Sequence, residues 1–205
     1  MVMFRLSRSR WNGALACLAF FILSSSVLAD PLSDLMPVKA GVSACFARDY
    51  EEAHLKKHAA RKTQSVLLSL KYEDEHPFPS VRIMLRQKGH EQPFYVVGGC
   101  AWNEHANRDI KGRRMLPTSK KEAGLDCSAI TGLSSAEEGG DFPIDLPGDG
   151  RTLGLYLFDG IAAWSGTDQT HDASQMGLGK DDLIFHFERT DPNACKTMEQ
   201  ELQTQ

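Results

Sequence analysis

The sequence predicts a mainly β domain. It reads as an antiparallel meander of about seven to nine short strands forming a small barrel or sandwich, with one short helix near the N-terminus. Three observations predict it. Apolar and polar residues alternate in short runs. Gly, Pro and Asp clusters separate many of those runs. Four cysteines remain once an N-terminal leader is set aside, enough for two staples.

The elements follow in chain order. Residues 1–29 carry a secretory leader pattern: Arg5, Arg8 and Arg10, an apolar run from Ala14 to Leu23, then Val27-Leu28-Ala29 before Asp30. The run is shorter than the roughly 20 residues a membrane-spanning helix needs. A cleavable signal peptide is therefore expected, with the mature protein in the periplasm or secreted and without a membrane span. Cleavage removes three arginines and no acid. Lys+Arg falls from 23 to 20 against 27 acidic residues, and the formal charge moves from −4 to −7. Such a balance argues against nucleic acid as a partner.

Residues 30–43, with Pro31, Pro37 and Gly41, read as an N-terminal arm. Residues 44–190 read as a single β-rich domain, and 191–205 as a polar C-terminal tail. Within the domain, Cys45 to Tyr50 forms a first strand, and Glu51 to His58 has helical spacing over about two turns. Val66, Leu68, Leu70 and Tyr72 alternate with polar residues, as do Val81, Ile83 and Leu85 after a turn holding Pro77 and Pro79. Lys88 to Glu91 makes a hairpin turn. Pro93 to Trp102 is the next strand, where Gly98-Gly99 predicts a bulge or tight bend. Asn103 to Gly124 has no period and reads as a long loop. Strands follow at Leu125 to Ile130, Phe142 to Leu146, Arg151 to Phe158, Ile161 to Trp164 and Leu183 to Arg189. Pro147-Gly148-Asp149-Gly150 and Asp159-Gly160 are turns.

The cysteines of the mature chain are Cys45, Cys100, Cys127 and Cys195. An even number in an exported protein reads as disulfides, and no C-x-x-C spacing points to metal. Three pairings are possible. The favoured one joins Cys100 to Cys127, tying neighbouring strands, and Cys45 to Cys195, tying the domain's start to its end.

Candidate chemistry is sparse. His54 and His58 sit four apart on the short helix, where both imidazoles can reach one metal ion. Leu55 stands where a zinc hydrolase carries its glutamate, and Lys56 and Lys57 lie beside the pair. A metal-binding protein or metal-dependent hydrolase, with a carboxylate such as Glu51 nearby, is thus one alternative. Glu73, Asp74, Glu75 and His76 read as a solvated acidic turn, and Asp141, Asp145 and Asp149 as exposed positions. Arg108, Lys111, Arg113 and Arg114 make the long loop basic. That raises a second alternative, an inhibitor or adaptor docking through residues 103–121. No Gly-x-Ser-x-Gly elbow and no phosphate-cradling glycine loop is present, and paired cysteines supply no thiolate. Catalytic residues are not expected, nor is a cofactor. The leading expectation is a non-enzymatic module binding a small ligand or an envelope partner.

The run Cys45-Phe46-Ala47-Arg48-Asp49-Tyr50, with His54-Leu55 and His58, a pair of hydrophobic strands and Gly98-Gly99-Cys100, resembles small secreted proteobacterial proteins of unknown function. The likeness covers about half the mature chain. It implies a bacterial periplasmic setting and brings no catalytic residues.

Overall fold

A computed structural model describes residues 31–73, 78–106, 123–132, 138–157 and 160–203. The leader 1–29 lies outside them, as do Arg108, Lys111, Arg113 and Arg114 of the basic loop and the turn residues Asp74, Glu75 and His76.

Short helix α1 (Pro31–Leu35) precedes strand β1 (Ser43–Asp49), helix α2 (Glu52–Lys57), β2 (Thr63–Tyr72), β3 (Pro79–Gln87) and β4 (Phe94–Asn103). Next come β5 (Gly124–Ile130), β6 (Glu138–Asp145), β7 (Thr152–Tyr156), β8 (Ala162–Ser165), the two-residue β9 (Ser174–Gln175) and β10 (Ile184–Arg189). Helix α3 (Pro192–Gln203) ends the fold. The sheet order is β3-β2-β1-β10-β7-β6-β5-β4, and β3 also pairs with β4, so eight antiparallel strands close on themselves. A barrel, not a sandwich, is thus the observed form. Strand β8 attaches to the N-terminal end of β4 through Phe94 and Tyr95, and β9 attaches to β8. Closure leaves the eight barrel strands without a free edge.

Alternation along the strands fills the interior. Phe46 lies across from Leu68, Leu68 from Ile83, Ile83 from Val96, and Phe185 from Leu155. All of these are buried in one continuous core that also holds Leu125, Phe142, Ile144 and Phe187. Gly98 and Gly99 run without a register break, so the expected bulge or bend is absent there. Gly98 serves close approach instead: a Cβ built on it would collide with the carbonyl oxygen of Ser128 on β5. The turn at Pro147 to Gly150 places Gly148 at φ +88° and Gly150 at +63°, where residues with a side chain are strained.

Two segments differ from the expected arm and tail. In the arm, Leu32, Leu35 and Met36 recur at helical spacing and are buried in the main core at the barrel end where β1 begins. Arg189 secures them, its Nη1 donating to the Leu35 carbonyl at 2.9 Å and to that of Gly150 at 3.0 Å. In the tail, Cys195, Met198 and Leu202 recur at i, i+3 and i+7, so α3 is amphipathic and packs on the outer faces of β1 and β2. Pro192 occupies its first turn, and the Asp191 carboxylate accepts the Asn193 N–H at 2.8 Å as an N-cap. Beneath α3 lies a second buried cluster of Cys45, Tyr95, Cys195 and Met198, flanked by Leu67 and Met84.

Cys45 is bonded to Cys195 and Cys100 to Cys127, the favoured pairing. The first bridge spans 150 residues and ties α3 to β1. The second joins directly opposed residues of β4 and β5 inside the barrel wall. By loop closure they contribute about 5 and about 3.5 kcal/mol respectively.

Candidate functional site

Polar chemistry gathers at the end of β1 away from α1, where the segment holding α2 meets the approach to β10. Tyr50 follows β1 and begins a stack: its ring lies 4.9 Å from that of His54, and His54 lies 4.4 Å from His58. The i, i+4 spacing on α2 therefore does bring the two histidines together, but face to face. His58 Nδ1 points to Asp181 at 3.8 Å. His54 Nε2 is buried and makes no hydrogen bond. No third His, Cys, Asp or Glu joins the pair in a metal-holding group among the described residues. Glu51 precedes α2 at its N-cap position and is exposed.

Arg61 lies over this stack. Its guanidinium carbon is 4.2 Å from the Tyr50 ring centre and 5.4 Å from that of Phe185, a core residue of β10. Arg48 faces Tyr50 at 5.2 Å. Cations over aromatic faces are attracted by the ring quadrupole. Burial pushes the Tyr50 hydroxyl pKa up, and the two arginines only partly oppose it. Burial pushes the His54 pKa down, and the nearby positive charges of His58, Arg61, Arg48 and Lys57 push the same way.

Asp182 organises the backbone around Arg61. Its carboxylate is fully buried and accepts the N–H groups of Lys62 at 2.8 Å, Thr63 at 3.2 Å and Gly179 at 3.0 Å. Arg61 Nη1 stands 3.5 Å from the same group. The Arg61 side chain keeps only 9% of its exposure, yet Nε and Nη1 make no hydrogen bond. Beside it, between α2 and the start of β2, opens a cleft of about 380 Å³.

The other sequence candidates separate. Glu73 is not a solvated turn residue. Burial alone would raise its pKa, but bonds from Ser80, Arg82 and Lys71 outweigh that and hold it below the usual carboxylate range. Asp149 is exposed and caps the turn into β7, accepting the N–H groups of Arg151 and Thr152. None of Arg61, Lys62, Lys88 and Asp182 belongs to a sequence motif, and Asp182 lies 120 residues from Lys62. The available signal was weak: a lone arginine and an Asp-Asp pair, each in a short polar segment leading into an apolar strand.

Comparison of the chain with protein-family models, with curated proteins and with solved structures gave no match.

Proposed function

We propose that the protein is an exported, disulfide-braced binding module without catalytic machinery, meeting a small ligand or an envelope partner on the outside of its barrel. The filled interior counts against a ligand held inside the barrel and supports only an outer location for recognition. Phe46, Leu68, Ile83, Phe142, Phe185 and Phe187 occupy the space that a ligand-carrying barrel of this size keeps open. Recognition is therefore assigned to the outer face and the barrel ends. Two buried disulfides fit an oxidising compartment. No helix among the described residues is long and apolar enough to cross a membrane. The resemblance to small secreted proteobacterial proteins supports the same setting.

Native mass spectrometry of protein purified from its own host tests the reading. The expected species begins at Asp30, lacks four hydrogens relative to the reduced chain, and carries a non-covalent companion. A chain with residues 1–29 attached and all five cysteines reactive overturns export. A companion-free species, under conditions that preserve weak complexes, overturns the binding role.

A further inference from the structure

We infer that the cleft between α2 and the start of β2 binds a phosphate-type oxyanion. This rests on the reading of the protein as a module that binds at its outer face. Four cationic residues line the cleft, namely Lys56, Arg61, Lys62 and Lys88, against one carboxylate, Glu52. The whole chain has a net charge of −4, so the concentration of positive charge is local. A pocket lined by one sign of charge focuses the field and raises the local concentration of counter-ions. Its volume, about 380 Å³, lies in the range of small-ligand sites, roughly 300–1,000 Å³.

The existing partners leave this charge poorly neutralised. Lys56 pairs with Glu52 at 2.8 Å, but both side chains are largely in water, where such pairs are weak. Lys62 and Lys88 form no ion pair among the described residues. The Lys62 ammonium has one long contact, 3.4 Å to the Gly177 carbonyl. The two lysines are also held together, because the Lys88 N–H donates to the Lys62 carbonyl at 2.8 Å. Like charges across adjacent strands repel, and an anion between them reverses that penalty. Arg61 is the buried member of the set. Asp182, its carboxylate neighbour, already accepts three backbone N–H groups, and the guanidinium keeps two nitrogens without hydrogen bonds. Asp182 and the two aromatic faces answer most of its charge, so the open positive charge of the cleft is that of Lys62 and Lys88.

The test titrates disulfide-intact protein at low ionic strength with two probes, inorganic pyrophosphate by calorimetry and phosphatidylglycerol vesicles by co-sedimentation. The cleft variant is K62A with K88A; both residues are exposed and near-native thermal unfolding checks the fold. The control is K39A with K196A, which removes two exposed lysines elsewhere. Saturable one-to-one pyrophosphate binding, weakened at least tenfold in the cleft variant and unchanged in the control, is expected for a free anion. Vesicle binding alone, lost in the same variant only, assigns the oxyanion to a lipid headgroup. Binding of neither probe, or equal weakening in both variants, overturns the site. A protein that leaves its host with a companion but binds neither probe refutes the anion site and leaves the module reading standing.

Discussion

Arg61 Nη1 stands 3.5 Å from Oδ1 of Asp182, a carboxylate with no exposed surface, and the two residues join the approach to β2 with the approach to β10. The contact is more than an ion pair. Asp182 also holds the backbone of Lys62, Thr63 and Gly179, so one side chain sets the path of the two segments that meet there.

Replacing Asp182 by alanine therefore strands a buried guanidinium and three N–H donors together. Removing one partner of a buried charge pair destabilises by about 3–5 kcal/mol. Urea unfolding of Asp182→Ala should show a loss of that size. Asp182→Asn keeps an acceptor and should lose clearly less. Equal stability of Asp182→Ala and wild type would remove the pair from any structural role.

The His54 ring predicts a pH dependence. Its pKa lies below the ordinary value in the folded protein, through burial and then the neighbouring positive groups. The unfolded chain takes up a proton there near pH 6.5, while the folded chain resists it. The contribution is complete above that pH and is lost as pH falls toward the folded value. Denaturation midpoints should drop on acidification through this window. His54→Phe keeps a ring in the stack and removes the titration, so its profile should be flatter. Matching profiles would show that His54 does not set the slope.

The Cys45–Cys195 bridge predicts a separable helix. With Cys45→Ser and Cys195→Ser, the Met198 contact and the Tyr95 donation to Glu201, 2.8 Å in the bridged protein, are left to hold α3 without a covalent tie. It loses loop-closure stabilisation of about 5 kcal/mol at most. Hydrogen exchange should speed up first in residues 192–203, while amides of β2 and β3 stay protected. The Tyr95 pKa should fall as well. Burial, then the Glu201 contact, pushes it up to about 12 in the docked state. Uniform loss of protection across the barrel would mean that the bridge holds the whole fold, not the helix alone.

Gly98 predicts a steric failure. Any side chain there meets the Ser128 carbonyl, a backbone atom that cannot swing aside. Gly98→Ala should destabilise by about 3 kcal/mol or more as β4 and β5 are forced apart. Gly99→Ala, whose added carbon meets nothing within 4 Å, should be near neutral in the same thermal-unfolding assay. Comparable behaviour of the two variants would show that the close approach is not obligatory.

Much of this molecule is written locally. Alternation such as Val66, Leu68, Leu70 against Ser65, Ser69, Lys71 determines a strand because side chains on a pleated backbone point to opposite faces. Pro147 to Gly150 determines a turn through its glycines, and even cysteine numbers point to paired sulfurs. The tertiary structure decided the rest. Leu32-x-x-Leu35-Met36 and Cys195-x-x-Met198 are too short to reveal a helix alone; they become helical by burying a stripe against strands distant in the chain. Closure of β3 onto β4 and β1 onto β10 chose a barrel over a sandwich, because it pairs edges that alternation by itself leaves open. Arg61, Lys62, Lys88 and Asp182 share no spacing, since they meet only when strand ends far apart in sequence are brought to one rim. Local pattern carries information about which face a residue takes, and only long-range pairing determines which residues become neighbours.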